Sequence, residues 1–591
     1  MSLKLQKNYL MEEEYFKDEH IHLASRKNLV NHENEDKKIM SIFINGIIYT
    51  IVYEGIIYNI KELKQKLNDK KINLETNFQI EVILKCFVYF GSEIFKNING
   101  AFCFAIWNNK NEELYLVKDH LGIKPLYYTL KNDAIIFSTE IKAILEYPDI
   151  EIKVDNQGLS EIFGLGPVHT PGVTAFKNIY EAKGGNYMIF NRFGIHIQEY
   201  WKLESKKHED NLQITCKKVR DLLEDSIKKQ LISDIPISTM LSGGLDSSII
   251  TAYASKYCKN KNEILQTYSV DYIDNDKNFV KSDFQPNSDK YYIDIMKNEF
   301  NTKHDNIYID TPELVENLEE AMIAREYPGM ADVDSSLLLF CQEISKKNKI
   351  ALSGECSDEI FAGYPWFFRE DALKSNTFPW SIAIEERQKM LSSSISSKVR
   401  LKEYIDYRYS ESLEKVEIIR EDSTQTTEKR KISYLTINWF MKTLIDRAEK
   451  MANNYGLEIR IPFCDYRIVE YMWNVPWEMK ALNGREKGLL RHITNDLLPE
   501  EIVNRKKSPY PKTHNPNYLK AVKEKLYKII ENKNSPINNL INKEYILEIL
   551  QNDGNNFKRP WFGQLMTGPQ VMAYLIQMNM WFEKYNPKIE L

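Results

Sequence analysis

The architecture of this chain is set by one stretch, ISTMLSGGLDSSII, which spans residues 237–250. The apolar run at its start predicts a β-strand, and apolar residues recur with helical spacing from Ile249 onward. Gly243 and Gly244 lie in the turn between them, where absent side chains let backbone N–H groups point at an anion. The N-terminus of the helix adds partial positive charge. The pattern therefore predicts a turn that binds phosphate or pyrophosphate.

An acidic residue, Asp246, lies inside this predicted anion site. A carboxylate beside phosphate oxygens is tolerable when a divalent cation bridges them, so Asp246 predicts Mg²⁺. The neighbouring serines, Ser242, Ser247 and Ser248, supply hydroxyl donors. No lysine follows the glycines, which excludes the GxxxxGK[ST] phosphate loop. A plain cluster of helix N-cap residues is the structural alternative.

Apolar strands alternate with amphipathic helices around this turn. Strands are predicted at residues 235–241, 264–270, 304–309 and 349–352. Alternation of this kind predicts a parallel sheet with helices on both faces. The remainder of the chain, about 380–591, is predicted to be mostly helical.

The front of the chain has a different pattern. From about residue 40 to 200, short runs rich in Val, Ile, Tyr and Phe are broken by turn residues, which predicts stacked antiparallel sheet with a few helices. Helices are predicted at 80–90 and 212–231, and a polar linker at Glu204 to Asn211 separates the two patterns.

The composition excludes several classes of protein. A chain of 591 residues with 43% hydrophobic and 28% charged residues is long enough for about three to six globular domains. The net charge of −5 gives no electrostatic case for a nucleic acid or an anionic membrane. No run of 18 apolar residues and no signal-peptide core is present, so we expect a cytoplasmic protein. The seven cysteines form no CxxC pair and are expected to be buried and reduced.

A second motif, ALSGECSDEIFAGY at residues 351–364, repeats the order of strand, loop and helix. Gly354 permits a close approach of the backbone. The carboxylates of Glu355, Asp358 and Glu359 fall within five positions and would repel one another if all three were charged and unpaired. The repulsion is relieved if some of them bind a metal and another accepts a proton. The alternative is a solvated acidic helix start, which the helix dipole favours.

Four motifs in this order resemble the synthetase half of asparagine synthetase. They are SGGLDSS at 242–248, SGECSDEIFAGY at 353–364, GLEIRIPFCD at 456–465 and EKGLLRHI at 486–493. SGGLDSS is also similar to the PP-loop of the ATP pyrophosphatase superfamily, whose members cleave ATP between its α and β phosphates. The resemblance runs from about residue 212 to the C-terminus and, more weakly, back to about residue 40.

This resemblance implies two domains. Residues 1–205 would form a domain similar to glutamine amidotransferases, with the stacked antiparallel sheets (αββα) of N-terminal-nucleophile hydrolases. Residues 212–591 would form a parallel α/β ATP pyrophosphatase domain with a helical C-terminal part. ATP is the implied co-substrate and Mg²⁺ the implied cofactor, with a small carboxylate and an amine as the reactants.

The resemblance also assigns roles to residues. The residues implied to bind ATP and its pyrophosphate are Ser242, Gly243, Gly244, Asp246, Ser247, Ser248, Val270, Ser353 and Gly354. Asp246 and Asp358 are implied to bind Mg²⁺. Glu355 is implied to accept a proton from the attacking amine, and Lys487 to neutralise charge on the phosphoryl group.

The front domain departs from its family's glutaminase pattern. Family members carry a nucleophilic Cys after the initiator Met, but residue 2 here is Ser and no HRGPD-like turn follows, so we do not expect Ser2 to act as a nucleophile. The family's YNGEIYN appears as YEGIIYN, with Glu54 and Ile56 in place of an Asn and a Glu that would hold glutamine. The family's SDTE appears as FQIE, with Gln79 in place of a carboxylate. We therefore expect no glutaminase activity.

Three functions remain open. The first is amide ligation on free aspartate with ammonia that this chain does not produce. The second is macrolactam formation on a precursor peptide, as in lasso-peptide cyclases. The third is a catalytically silent nucleotide-binding regulator. At residues 450–456 the chain reads KMANNYG where the family has a segment like RMSMANG. This difference does not indicate a role for the segment. The sequence leaves the oligomeric state open, with a homodimer allowed.

The first two cysteines, Cys86 and Cys103, are predicted to be inert. Alkylation of Cys86 and Cys103 should leave ammonia-driven turnover unchanged, because neither thiol replaces the missing nucleophile. Peptide mapping after alkylation would check this, and a loss of activity traced to either cysteine would refute it.

Overall fold

The computed structural model describes residues 1, 11–28, 37–278, 288–557 and 559–591. Ser2 lies outside the described residues. Within them, no helix combines the length and the apolar character that crossing a membrane requires.

Within the described ranges, the front half contains twelve strands. They are β1 Met11–Lys17, β2 His22–Asn28, β3 Ile39–Ile44, β4 Ile47–Ile57, β5 Gly100–Asn108, β6 Glu113–Lys118, β7 Tyr127–Lys131, β8 Ala134–Ser138, β9 Lys153–Asp155, β10 Tyr180–Glu181, β11 Asn186–Asn191 and β12 Gly194–Glu199. The helices are α1 Ile60–Asp69, α2 Gln79–Phe90, α3 Ile141–Leu145 and α4 Asn156–Leu159.

Two antiparallel sheets stack in this half. The larger has the order β12-β11-β6-β5-β4-β3 and the smaller β10-β7-β8. Along β5, Phe102, Phe104 and Ile106 face the core under α2, while Cys103 and Ala105 face the core toward the smaller sheet. Because successive side chains of a strand point to opposite faces, both faces of β5 are buried. With α1 and α2 on one side and α3 on the other, this is the predicted αββα arrangement.

The described part of the back half contains six strands. They are β13 Ile237–Met240, β14 Gln266–Tyr272, β15 Lys303–Ile309, β16 Ile350–Leu352, β17 Glu458–Arg460 and β18 Lys588–Glu590. Its helices are α5 Leu212–Gln230, α6 Leu245–Asn260, α7 Asn275–Asn278, α8 Asp289–Glu299, α9 Thr311–Glu316, α10 Leu318–Arg325, α11 Asp332–Ser345, α12 Ser357–Ile360, α13 Glu370–Leu373, α14 Ile384–Lys389, α15 Ser393–Ser396, α16 Leu401–Leu413, α17 Thr424–Leu435, α18 Lys442–Asn453, α19 Tyr466–Asn474, α20 Trp477–Lys480, α21 Gly488–Ile493, α22 Glu500–Asn504, α23 Asn517–Glu531, α24 Lys543–Gln551 and α25 Gly568–Tyr585.

The central sheet of this half is parallel, in the order β15-β14-β13-β16-β17. Four of its strands match the predicted ones within a few residues. The fifth, β17, lies in the part predicted to be mostly helical, because a strand of three residues is too short to show a period. Strand order reverses at β13, and the carboxyl ends of strands at such a switch point open onto a crevice where ligands bind.

Buried charges join the two halves. The carboxylate of Glu181, on β10, contacts the ammonium of Lys118 at 2.7 Å and also that of Lys442, on α18. His169 Nε2 lies 3.5 Å from its other oxygen. Burial alone would raise the pKa of Glu181, but Lys118 and Lys442 outweigh burial and hold it well below its usual value. Glu181 is therefore a charged link between the sheet sandwich and the helices behind the crevice.

Replacing Glu181 with Gln should destabilise the protein by about 3–5 kcal/mol, because it leaves two lysines buried without their counter-charge. The matched control is Glu417→Gln, since Glu417 pairs with Lys202 where both side chains are half exposed. The control should change stability by less than about 1 kcal/mol. Urea unfolding would compare the two, and equal midpoints would contradict the link.

Candidate active site

The turn after β13 has the geometry predicted for an anion site. Gly243 has φ +68°, and a Cβ there would lie 2.6 Å from Tyr292 Cβ, so only glycine fits. Gly244 caps α6 without any side-chain hydrogen bond. The N–H groups of the first helical turn are thus left to bind an acceptor from outside the helix.

Hydroxyl groups brace the turn. Ser242 Oγ lies 3.1 Å from Ser247 Oγ, and Ser247 Oγ donates to the Gly244 carbonyl at 3.2 Å. Ser248 lies deeper, fully buried, and its hydroxyl has no hydrogen-bond partner among the described residues. Ser242, Gly244 and Ser247 line the crevice, whereas Gly243 and Ser248 do not.

A cluster of opposite charges fills the crevice floor. Lys487 Nζ lies 2.5 Å from Asp246 Oδ2 and 2.6 Å from Asp358 Oδ1. Lys507 Nζ lies 2.8 Å from the other oxygen of Asp358. Gly363 makes this approach possible, because a Cβ there would lie 2.0 Å from Asp358 Oδ1 and 2.4 Å from Lys487 Cε. Residues from both motifs therefore meet on one buried ammonium group.

The charges of this cluster depend on one another. Burial would raise the pKa of Asp358, but Lys487 and Lys507 lower it to about 2. Burial would likewise lower the pKa of Lys487, and Asp246 and Asp358 raise it instead. Asp358 and Lys487 are consequently charged near neutral pH. An arrangement of two carboxylates with ammonium groups between them suits a divalent metal bound together with phosphate.

Glu355 lies beside the cluster with a single cationic partner. Arg447 Nη2, from α18, donates to Glu355 Oε1 at 2.8 Å. The other oxygen, Oε2, is buried and accepts no hydrogen bond among the described residues. Burial raises the pKa of Glu355, although Arg447 opposes that rise. A carboxylate with one free oxygen and a raised pKa is suited to accept a proton.

Glu359 differs from its neighbours. Tyr364 Oη donates to Glu359 Oε1 at 2.6 Å. Burial, and then the charge of Asp358, raise the pKa of Glu359 to about 8. The three carboxylates of the motif therefore differ at neutral pH: Asp358 is charged, Glu359 is protonated and Glu355 is the candidate base.

These side chains line one cavity of about 240 Å³ at the carboxyl ends of the parallel strands. Val270, near the end of β14, and Ser353 with Gly354, after β16, form part of its wall. A Cβ on Gly354 would lie 2.9 Å from the Ser247 amide nitrogen, which shows how closely the two motifs approach. Asp246, Glu355, Asp358 and Lys487 all line this cavity. Among the described residues, no three carboxylate, imidazole or thiolate groups converge into a complete metal site.

Three cationic residues of the site were not identified from the sequence. Arg447 reaches Glu355 from α18, and Arg505 Nη1 donates to the Ser242 carbonyl at 2.9 Å. Lys507 reaches Asp358 from the loop after α22. That loop reads RKKSPYPK, and its density of positive charge is a signal that could have indicated the contacts of Arg505 and Lys507.

In the front domain, the residues that depart from the family's glutaminase pattern make structural contacts. Gln79 Oε1 accepts from the Ile57 amide at 2.9 Å, and Ile56 packs against the main core. Glu54 lies 3.6 Å from Lys38 and is partly exposed. Burial raises the pKa of Cys86 to about 12 and raises that of Cys103 further. Glu54, Ile56 and Cys103 line a larger cavity, of about 1390 Å³.

Comparison with known proteins gives a matching family model for each half of the chain. The Asparagine synthase family model matches residues 218–583, and the Glutamine amidotransferase domain model matches residues 11–201. The chain is 45% identical to asparagine synthetase [glutamine-hydrolyzing] 3 of Bacillus subtilis, over 93% of this chain and 90% of that protein. It is 26% identical to asparagine synthetase [glutamine-hydrolyzing] 1 of the same organism, over 97% of this chain and 92% of that protein. A putative asparagine synthetase 2 of Methanocaldococcus jannaschii is 30% identical over 53% of this chain and 58% of its own length.

These matches agree with the two sheet architectures and with the charged crevice at the switch point of the parallel sheet. The chain therefore belongs to the asparagine synthase family of carbon–nitrogen ligases, with a glutamine amidotransferase domain in front of the synthase domain.

Proposed function

We propose that this protein is an ATP-dependent amide ligase that adenylylates the side-chain carboxylate of aspartate, releases pyrophosphate and transfers an amine that its own front domain does not generate. The observation that carries the proposal is the convergence of Asp246, Asp358, Lys487 and Glu355 on one cavity beside the glycine turn.

A carboxylate is a poor acyl donor, because its leaving group would be oxide. Attack of the carboxylate oxygen on the α-phosphorus of ATP forms a mixed anhydride and expels pyrophosphate. The amine then attacks the acyl carbon, AMP leaves, and the amine loses a proton. Each step conserves atoms and charge, with pyrophosphate and AMP as the two leaving groups.

The residues of the cavity suit these steps. The N–H groups of the turn at Gly244 would bind the pyrophosphate oxygens. Lys487 and Lys507 would compensate the charge that grows on the leaving pyrophosphate. Asp246 and Asp358 would hold Mg²⁺, which supplies Lewis-acid stabilisation of the phosphates when bound. Glu355, with one oxygen unengaged, would take the proton from the amine.

The similarity to known proteins favours aspartate as the acyl substrate. The relative that is 45% identical over 93% of this chain is an asparagine synthetase. The match extends over 90% of that protein, so it includes the part of the chain that forms the crevice.

The front domain supports the proposal about the amine source. Glu54, Ile56 and Gln79 replace the groups that would hold glutamine, and both front-domain cysteines are buried thiols. We therefore assign the domain a structural role, with ammonium from solution as the nitrogen source.

The direct test is pyrophosphate release from ATP, Mg²⁺ and aspartate, with either ammonium or glutamine as the nitrogen source. We expect pyrophosphate, AMP and asparagine with ammonium and no turnover with glutamine. Chromatography of the amino acids would identify the product. Release of glutamate from glutamine would contradict the inactive front domain, and activity confined to a peptide acid would contradict aspartate as the substrate.

Replacing Lys487 with Met should lower kcat about 100- to 1,000-fold, the usual effect of removing one well-placed electrostatic contact. Lys256→Met, on the exposed face of α6, is the matched control and should retain normal turnover. Steady-state kinetics with ammonium would measure both variants. Circular dichroism would show that Lys487→Met remains folded, and a folded variant with normal kcat would contradict the role of Lys487.

A further inference from the structure

One wall of the crevice is formed by a helix face and by a turn near the C-terminus. Phe440, Leu444 and Arg447 line the cavity, and their spacing of four and three residues places them on one face of α18 and the helical segment before it. Gln564 and Leu565 line the same cavity from the turn. Among these five residues, only Arg447 and Gln564 have polar side chains.

Gln564 lies at the apex of a short turn that packs against this helix face. Phe562 and Met566 form an antiparallel bridge on either side of it. The rings of Phe440 and Phe562 are stacked, with centroids 5.9 Å apart. A Cβ on Gly563 would lie 3.7 Å from the ring of Phe440. The backbone of the turn therefore holds Gln564 at the cavity, next to the helix that carries Arg447.

Both polar side chains of this wall have hydrogen-bonding capacity that the protein does not use. Arg447 is 4% exposed, and its Nη2 donates to Glu355 Oε1 at 2.8 Å. Its Nε–H is buried and has no acceptor among the described residues. The side-chain amide of Gln564 makes no hydrogen bond to another described residue. Because buried donors nearly always have partners, an open donor at a cavity indicates a ligand group that accepts hydrogen bonds.

The proposed chemistry brings the acid substrate to this wall. Its reacting carboxylate must meet the α-phosphorus of ATP, and the acyl carbon must also be reached by the amine whose proton Glu355 accepts. The remainder of the acid would then extend past Glu355, where Arg447 and Gln564 are the polar groups with unused donors. The apolar side chains of Phe440 and Leu444 would cover the carbon chain of the acid between its two ends.

We infer that Gln564 determines the specificity of the ligase for its acid substrate, and that its side-chain N–H binds, together with the Nε–H of Arg447, the carboxylate that is not adenylylated. The inference rests on the proposed function and assigns the substrate to the class of dicarboxylic amino acids. A guanidinium N–H to a carboxylate is a charge-assisted hydrogen bond, and the neutral amide of Gln564 adds a second donor without a further charge. For aspartate, the carboxylate held in this way is the one on the α carbon.

The first test is steady-state pyrophosphate release by the full-length Gln564→Leu variant, with ammonium, saturating ATP and varied aspartate. The KM for aspartate should rise about 10- to 100-fold, because one hydrogen bond to a charged group is lost. The KM for ATP and kcat should stay within about threefold of the parent, since the contact holds substrate and transition state alike. Gln551→Leu, on the exposed end of α24, is the matched control and should change neither constant. Circular dichroism would confirm that both variants are folded.

The second test measures binding without turnover. Calorimetric titration of the protein with Mg²⁺ and a non-hydrolysable ATP analogue would give the Kd of aspartate and of 3-aminopropanoate, which keeps the reacting carboxylate and the amine but lacks the second carboxylate. Gln564→Leu should weaken aspartate about 10- to 100-fold and leave 3-aminopropanoate unchanged. Gln564→Glu should weaken aspartate more than Gln564→Leu does, because it sets an anion against the carboxylate.

The outcomes separate the inference from the proposed function. An unchanged Kd for aspartate in Gln564→Leu, or an equal loss for both ligands, would overturn the contact with the second carboxylate. Tighter binding of aspartate by Gln564→Glu would show that Gln564 faces the ammonium end instead, and a parent protein that binds no aspartate would overturn the inference altogether. If the parent binds aspartate but releases no pyrophosphate, the proposed ligase function fails, and the titrations still decide the role of Gln564.

Discussion

The buried ammonium of Lys487, held between the carboxylates of Asp246 and Asp358, is the contact on which the rest of the site depends. Each of the three charges would be costly to bury alone, and each is tolerated because the others are present. Residues of three separate motifs must therefore reach one point. The parallel sheet makes this possible, since β13 and β16 are neighbours and deliver both aspartates to the same edge.

The same arrangement explains how the site can exchange one set of partners for another. Lys487 and Lys507 pair with the two aspartates. In the proposed function, Mg²⁺ would bind the carboxylates and both lysines would turn to the phosphates.

The front domain remains bound to this machinery by charge and packing. Glu181 contacts Lys442 of α18, and the Lys124 ammonium contacts Glu449 of the same helix. Helix α18 also carries Arg447 to Glu355. Removing the sheet sandwich would leave these charges of α18 unpaired, so the front domain supports the position of Arg447.

Much of the fold and part of the site follow from the sequence. The glycine turn at Gly243, the positions of four parallel strands and the β-rich runs of the front part are visible as local patterns, and the structure agrees with them. The contacts of Arg447, Arg505 and Lys507 are not visible, because each is long-range and its residue type is common on surfaces.

A structure of the protein with Mn²⁺ and a non-hydrolysable ATP analogue would test the central claim most directly. The account predicts an anomalous peak of Mn²⁺ between Asp246 and Asp358, with Lys487 and Lys507 turned onto the phosphates. Nucleotide bound elsewhere, or Lys487 still between two metal-free aspartates, would contradict it.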